Sequence, residues 1–210
     1  MGQPTINSGM LAGMSLPAGD HELVQIVDAS LADAAGRAGP WLVCRLGCTQ
    51  CCFGAFAISQ LDALRLAAAM QKLRSENPAL ASELKRRAFT WIGEYGPAFP
   101  GDVGTGLIGD TESDRDRFEE YANEAACPAL DPATGRCDVY EWRPMTCRVF
   151  GPPVRMGAGD ALGHCELCFN GATTDQVAAC EMAMPHDLEQ QLIDQVPTKG
   201  ETLVAFALIR

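Results

Sequence analysis

The sequence predicts a mainly α fold: a single small helical domain with an irregular cysteine-rich segment and at most short strands. Apolar residues recur at helical spacing in several stretches, whereas residues 127–150 contain turn-forming Pro and Gly without a regular period. The 210 residues, 47% of them hydrophobic, can bury one core of ordinary size, and two separate domains would each be small. We therefore expect one domain with appendages.

Composition suggests the boundaries of this domain. Residues 1–19 carry Gly, Pro, Ser and Met without periodicity, so we expect a flexible N-terminal arm. Residues 20–172 are expected to form the helical cysteine-cluster domain, and residues 173–210 a C-terminal helical segment packed on it. The chain start lacks a secretory pattern, and no apolar stretch approaches the roughly 20 residues of a membrane helix. We expect a soluble, cytoplasmic protein.

The first predicted helix covers residues 20–38. Asp20 is its expected capping residue, and Gly-rich sequence follows its end. Its predicted inner face carries Leu23, Ile26, Val27 and Leu31.

Two further helices follow the first cysteines. Ser59 and Asp62 form a capping arrangement, and Asn77 with Pro78 marks the start of the next helix. The apolar positions of the two helices are Leu61, Leu64, Ala68 and Leu73, then Leu80, Leu84, Ala88 and Trp91.

Residues 93–110 are rich in Gly and Pro and predict a loop. Gly104, Gly106 and Gly109 match a GxGxxG pattern there, but the Pro-containing residues before them cannot supply the apolar strand that a dinucleotide site needs. We interpret the glycines as loop sequence.

Two more helical stretches lie beyond this loop. Thr111 and Ser113 are expected to cap a charged helix that reaches Ala126. Helical spacing returns in residues 173–196, with an interruption expected at Pro185. The apolar positions of this last stretch are Val177, Met182, Leu188 and Leu192.

The formal net charge of −11 argues against two classes of partner. Nucleic acids and anionic membranes both attract basic protein surfaces. We therefore expect neither nucleic acid nor a membrane as a partner.

Nine of the ten cysteines lie in three clumps: Cys44, Cys48, Cys51 and Cys52; Cys127, Cys137 and Cys147; Cys165 and Cys168. Thiolates placed this close repel one another unless a cation gathers their charge. The clumps therefore predict a metal site, and all nine cysteines are candidate ligands.

The spacing within the clumps supports metal ligation. Cysteines separated by two residues, as in Cys48-x2-Cys51 and Cys165-x2-Cys168, can reach one metal from a tight turn. The side chains of the adjacent Cys51 and Cys52 should diverge, which favours a polynuclear cluster or two neighbouring sites. His164 is a possible mixed ligand or a solvated neighbour, and Cys180 is expected to be a small buried residue.

The sequence gives less support to two other uses of the cysteines, disulfide bonds and a redox dithiol. Disulfides are disfavoured because the expected compartment is reducing and ten cysteines in 210 residues are too few for a disulfide scaffold. A redox dithiol usually sits at a helix start after a strand, and neither CxxC pair follows a strand pattern.

Arginines are concentrated near the clumps, in contrast to the acidic chain. The five are Arg45, Arg136, Arg143, Arg148 and Arg155. Guanidinium groups can offset the negative charge of a thiolate-ligated metal and donate hydrogen bonds to sulfur, although ordinary surface arginines explain the pattern equally well.

The cysteine blocks resemble those of a known family. The matching residues are Cys48-x2-Cys51-Cys52, Cys127-Pro128-x-Leu130, Gly135-Arg136-Cys137-x-Val139-Tyr140-Glu141-x-Arg143-Pro144 and Cys147-Arg148-x-Phe150. The pattern resembles the zinc- or iron-chelating family with the CxxCxxCC signature, the YkgJ-like cysteine cluster proteins. That resemblance implies a small bacterial metal-chelating protein. The first spacing, Cys44-x3-Cys48, departs from the signature and puts the role of Cys44 in doubt.

The identity of the metal is left open between an iron–sulfur cluster and Zn²⁺. Cysteine ligands suit both, and the four-cysteine clump slightly favours several metal atoms. The main functional prediction is a metal-chelating protein without established catalysis. The alternative is an iron–sulfur enzyme for redox or group transfer, because flagellin lysine methylases look like carriers of a related cysteine spacing.

Overall fold

The computed structural model of the protein describes residues 14–45, 47–155 and 161–210. The fold is about 51% helical, with eight α-helices and only two-stranded sheets in these ranges. The mainly α prediction is confirmed. Residues 1–13 of the predicted N-terminal arm lie outside the described ranges. None of the helices described combines the length and apolar character needed to cross a membrane.

The helices are α1 Asp20–Ala38, α2 Gln60–Glu76, α3 Pro78–Tyr95, α4 Glu112–Glu119, α5 Met145–Arg148, α6 Thr174–Ala178, α7 His186–Gln195 and α8 Val204–Ala207. The strands are β1 Ile58–Ser59, β2 Gly101–Asp102, β3 Leu107–Ile108, β4 Leu130–Asp131, β5 Arg136–Cys137, β6 Val154–Arg155, β7 Leu162–Gly163 and β8 Glu201–Thr202. They pair antiparallel as β1–β8, β2–β3, β4–β5 and β6–β7.

The chain forms two compact units, each assembled from separate stretches of sequence. The first unit contains Thr49–Met145 and Val196–Arg210, and the second contains Pro17–Cys48 and Thr146–Gln195. The chain therefore passes from one unit to the other inside the first cysteine clump, between Cys48 and Thr49.

The core of the first unit is formed by α2, α3 and α8, which pack on one another. Its fully buried side chains include Leu61, Leu66, Met70, Leu84, Ile92 and Phe206. Ala68, predicted to face inward, is exposed instead, because the core-facing side of α2 carries Ala69 at the neighbouring position.

The caps predicted for α2 and α3 are confirmed. The Ser59 hydroxyl accepts the Asp62 backbone N–H at 3.1 Å, and the Asp62 carboxylate accepts the Ser59 backbone N–H at 3.4 Å. Asn77 caps α3 through the Leu80 backbone N–H at 3.2 Å, with Pro78 as the first helical residue. Each cap satisfies backbone donors that the first helical turn leaves unpaired.

Asp62 also fixes the irregular segment that precedes α5. Its carboxylate accepts a hydrogen bond from Arg65 at 2.6 Å and one from the backbone N–H of Met145 at 3.0 Å. Asp62 and Arg65 are both almost fully buried. The start of α2 therefore holds the end of the cysteine-bearing stretch 127–145 against the first unit's core.

The charged helix predicted to reach Ala126 ends earlier, at Glu119. Thr111 caps it as expected, through the Asp114 backbone N–H at 3.2 Å. Ala122 adopts φ 53°, a left-handed conformation that a helix cannot continue through. Tyr121 is buried and donates its hydroxyl to the Tyr95 carbonyl at 3.0 Å, which draws the chain off the helical path.

The glycine pattern at 104–109 belongs to a hairpin. Gly106, at φ +71°, lies in the turn between β2 and β3, and a Cβ atom there would come within 2.6 Å of Phe206. The pattern does not open a helix directly after a strand, as a dinucleotide fingerprint requires, because β3 lies inside it, between Gly106 and Gly109. The glycines allow close packing in the first unit.

The second unit packs α1 against α7. Leu23, Val27 and Leu192 are buried, but Ile26 is 38% exposed, so its predicted inward placement is wrong. Asp20 is not the cap. It is the first helical residue and is buried, while Gly19 occupies the capping position without a side-chain hydrogen bond.

The last predicted helical stretch is interrupted as expected. It divides into α6, which ends at Ala178, and α7, which begins directly after Pro185. The Arg37 side chain of α1 donates to the Glu181 carbonyl at 2.9 Å in the connecting segment. This contact ties the segment that carries Cys180 to α1.

Candidate metal centre

The first unit brings together four of the predicted ligands, Cys51, Cys52, Cys127 and Cys137. A single-turn 3₁₀ helix, Gln50–Cys52, presents the adjacent pair. The next residue, Phe53, forms an isolated antiparallel bridge with Ala126, and the Cys127 N–H donates to the Cys52 carbonyl at 2.7 Å. Main-chain pairing therefore places Cys127 beside Cys52.

The β4–β5 hairpin returns Cys137 to the same place. Cys137 pairs with Leu130 across the hairpin, and the Leu130 N–H donates to the Cys127 carbonyl at 2.9 Å. Asp131 closes the hairpin turn by accepting the Thr134 hydroxyl at 2.5 Å and the Ala133 N–H at 3.0 Å. This segment is therefore held by a short hairpin and its turn, and not by a regular apolar face such as a helix or a long strand buries.

The thiols of Cys51 and Cys52 hydrogen-bond to each other, so the predicted divergence of adjacent side chains is wrong here. Neighbours in a 3₁₀ turn are separated by about 120° around the axis, compared with opposite faces in a strand. Both sulfurs can therefore reach the same side.

The two adjacent thiols have pKa values shifted in opposite directions. The hydrogen bond from Cys52 lowers the pKa of Cys51 to about 6 despite its burial, with further help from a backbone N–H and Arg143. The pKa of Cys52 is raised, first by the same hydrogen bond and then by burial. The negative charges of Cys51, Cys127 and Cys137 raise it further. Burial also raises the pKa of Cys127 to about 12 and that of Cys137. The four sulfurs therefore form one electrostatic neighbourhood.

Two arginines supply positive charge to this neighbourhood. Arg143 is 8% exposed and stacks over the Tyr140 ring at 3.9 Å; its charge helps to lower the pKa of Cys51 and partly opposes the rise that burial causes in the pKa of Cys137. Its buried Nε has no hydrogen-bond partner among the residues described. Arg87 of α3 bonds to the Leu130 carbonyl and the Asp138 carboxylate, and its charge partly opposes the rise that burial causes in the pKa of Cys127. Sequence reasoning singled out Arg143 and missed Arg87.

Other arginines from the sequence pattern have carboxylate partners. In the second unit, Arg148 pairs with Asp28 at 2.6 Å and Arg155 with Glu181 at 2.7 Å. For these two the structure favours ordinary ion pairing.

The second unit brings together Cys44, Cys48, Cys165 and Cys168. One main-chain bond precedes the second cysteine of each pair: the Cys48 N–H donates to the Arg45 carbonyl and the Cys168 N–H to the Cys165 carbonyl, each at 2.9 Å. The Cys165 N–H also donates to the Gly151 carbonyl at 3.2 Å, and the Phe169 N–H to the Trp41 carbonyl at 2.9 Å. These last two bonds hold the 165–168 turn next to the chain that leads into Cys44.

The sulfurs of this group also act on one another. The pKa of Cys44 is raised to about 12. Burial is the largest cause, followed by the nearby thiols of Cys168, Cys48 and Cys165. Cys44 hydrogen-bonds to Cys168, and burial together with Cys168 and Cys48 raises the pKa of Cys165. Cys44 is exposed as a residue, but a Cβ atom on Gly151 would come within 3.1 Å of its sulfur. The Cys44 thiol therefore lies in the same neighbourhood despite its departure from the expected spacing.

The model of one sequence family, described as "Putative zinc- or iron-chelating domain" and named CxxCxxCC, matches residues 43–168. This chain belongs to the CxxCxxCC family. The match begins one residue before Cys44 and ends at Cys168, so it contains all nine clumped cysteines and leaves out Cys180. No curated protein and no solved structure matches the chain. The resemblance found in the sequence is confirmed.

The other two cysteines and His164 belong to the second unit. Cys147, the ninth clumped cysteine of this CxxCxxCC protein, is half-buried on α5. Cys180 is buried and packs in an apolar cluster with Cys165, Cys168 and Phe169. The His164 Nδ1 lies 3.0 Å from the Cys165 carbonyl, and its ring packs on Phe169.

The donor sets fit the metals of the family description. Four cysteine sulfurs suit a zinc ion or an iron–sulfur cluster. In the residues described, no three Cys, His, Asp or Glu side chains already form a closed group that could hold a metal ion. The thiols instead hydrogen-bond to one another, as Cys51 does with Cys52 and Cys44 with Cys168. Metal binding would replace those protons, because the ligand is the thiolate.

Proposed function

We propose that this chain is a metal-chelating protein that holds zinc or an iron–sulfur cluster through its clustered cysteine thiolates. The observation that carries the proposal is that eight thiols from distant stretches of the chain influence one another's pKa in two sets of four, inside the region matched by the CxxCxxCC family. Four thiols at each place supply the coordination that either metal takes from cysteine alone.

Charge supports the proposal in the first unit. A metal bound by four thiolates carries net negative charge, which buried guanidinium groups can offset. Arg143 and Arg87 both lie close enough to stabilise thiolates there, in a chain whose formal net charge is −11. The unpartnered Nε of Arg143 is a hydrogen-bond donor available to a sulfur acceptor.

The bound metal would stabilise the cysteine-bearing segment. Residues 127–139 are held by one two-residue hairpin and by turns, and their buried apolar side chains are few: Pro128, Ala129, Leu130 and Val139. Structural zinc contributes about 10–16 kcal/mol in small zinc-finger peptides, comparable with the whole stability of about 5–15 kcal/mol of an ordinary domain. A metal there would therefore hold the loop in one conformation.

Anaerobic purification followed by elemental analysis, sulfide determination and a visible spectrum tests the proposal. Stoichiometric zinc with no colour supports a zinc protein, and iron with sulfide and a broad visible band supports a cluster. The proposal fails if freshly prepared, folded protein contains neither metal and binds neither when metal is supplied with reductant.

A further inference from the structure

We infer that the chain carries two separate four-cysteine metal centres, one ligated by Cys51, Cys52, Cys127 and Cys137, the other by Cys44, Cys48, Cys165 and Cys168. This inference rests on the proposed function, and it adds the number of centres and the ligands of each. It divides the first cysteine clump between two metals.

Each ligand set lies within one unit of the fold. All four cysteines of the first set fall in Thr49–Met145, and all four of the second fall in Pro17–Cys48 or Thr146–Gln195. The boundary at Cys48–Thr49 passes through the CxxCC run itself. A tight CxxC turn normally delivers both sulfurs to one metal, so assigning Cys48 and Cys51 to different centres departs from the sequence pattern.

Main-chain hydrogen bonds assemble each set independently of the other. In the first set, Cys127 bonds to Cys52 and Leu130 bonds back to Cys127, which fixes three ligand-bearing strands and turns together. In the second set, the Cys48 N–H bonds to the Arg45 carbonyl and the Cys168 N–H to the Cys165 carbonyl, and the bonds of Cys165 to Gly151 and of Phe169 to Trp41 hold residues 165–168 beside the chain that leads into Cys44.

Side-chain contacts follow the same partition. Thiol–thiol hydrogen bonds join Cys51 to Cys52 in the first set, and Cys44 to Cys168 and Cys165 to Cys168 in the second. The surroundings differ as well: the first set lies beside Arg143 and Arg87, whereas the second rests on an apolar cluster with Phe169 and Cys180. The two centres should therefore hold their metals with different affinities.

Cysteine-to-serine variants of the full-length chain test the partition. Cys127→Ser and Cys165→Ser should each lose half of the bound metal, and the double variant Cys127→Ser/Cys165→Ser should lose nearly all of it. The double variant Cys127→Ser/Cys137→Ser should lose no more than Cys127→Ser alone, because both residues serve one centre. Cys180→Ser is the matched control, outside the three clumps, that should keep the full metal content.

A graded chelator titration of the wild-type protein gives a second measurement that needs no variant to fold. Alkylation followed by mass spectrometry should reveal two groups of four cysteines, each group losing protection together. The partition would be overturned if all eight cysteines lost their protection from alkylation in one step, or if Cys48 lost it together with Cys51. Loss of all the metal from either single variant would also overturn it. Absence of metal from the wild-type protein would instead defeat the proposed function, so the two failures are distinguishable.

Discussion

The contact between Cys51 and Cys52 controls the reactivity of the first centre when it is free of metal. The Cys52 thiol donates to the Cys51 sulfur, and this bond is the largest cause of the lowered pKa of Cys51, about 6. At that pKa Cys51 is mostly thiolate at pH 7, the form that binds metal, whereas Cys52 still carries a proton that metal binding would displace.

Replacing the donor should reverse this effect. In metal-free Cys52→Ala, the pKa of Cys51 should rise toward the ordinary thiol value of about 8.5, because the thiolate loses its hydrogen bond. Alkylation of Cys51 measured against pH would show the midpoint moving upward and the rate at pH 7 falling. Cys180→Ala should leave the profile unchanged, and an unaltered midpoint in Cys52→Ala contradicts the assignment.

In the second unit, the absence of a side chain at Gly151 leaves room for the Cys44 sulfur. It has φ +130°, and a Cβ atom would come within 3.1 Å of the Cys44 sulfur. Gly151→Ala should displace Cys44 and lower the metal content toward half while leaving the first centre loaded. Gly36→Ala in α1 is the matched control, since nothing lies within 4 Å of its Cβ position. Full metal retention in Gly151→Ala would contradict the expected steric effect of position 151 on a metal-bound Cys44.

At the scale of elements, α2 supports the cysteine-bearing loop through Asp62. The buried Asp62–Arg65 pair and the bond to Met145 join the start of a regular helix to an irregular segment. Removing one partner of a buried ion pair leaves the other charge uncompensated.

Asp62→Asn should therefore lower the free energy of unfolding by about 3–5 kcal/mol. Urea unfolding followed by circular dichroism would measure the change. Glu83→Gln is a matched control with the same i, i+3 geometry, because Glu83 and Arg86 are 45% and 64% exposed and water screens them. Equal effects of the two substitutions would show that burial does not set the strength of the Asp62 pair.

The elements also show which features a sequence can reveal. The caps at Ser59–Asp62 and Asn77–Pro78 were predictable because a cap depends on residues within one turn. The end of α4 was not, since it depends on where Tyr121 is buried and on the φ of Ala122.

The site shows the same limit. The spacing of the clumps identified the candidate ligands but not which of them lie together, because Cys52 meets Cys127 through a bridge between distant segments. Arg87 left no local signal, as it lies on α3, far from any cysteine in sequence.

At the scale of the molecule, two parts of the first unit differ in what would survive metal loss. The α2–α3–α8 core of the first unit is built from large buried side chains and needs no metal for its packing. The segment 127–139 has no comparable core of its own.

Removal of metal should accordingly loosen one part of the first unit selectively. Hydrogen exchange should rise most in residues 127–139, whereas the amides of α2 and α3 should keep most of their protection. Exchange followed by mass spectrometry before and after chelation would map the change. Unchanged exchange across 127–139 after complete metal loss would show that the centre does not hold this segment.

The iron–sulfur enzyme alternative stays a prediction, as does the choice between zinc and a cluster. Both depend on the claim that the clustered thiols bind metal.

Native mass spectrometry of freshly prepared, anaerobically purified protein tests that claim most directly. The account predicts a chain carrying two metal centres, either two zinc ions or two iron–sulfur clusters, removed in two steps as the solution is acidified. A folded chain with no bound metal, or with a single centre at full occupancy, would contradict it.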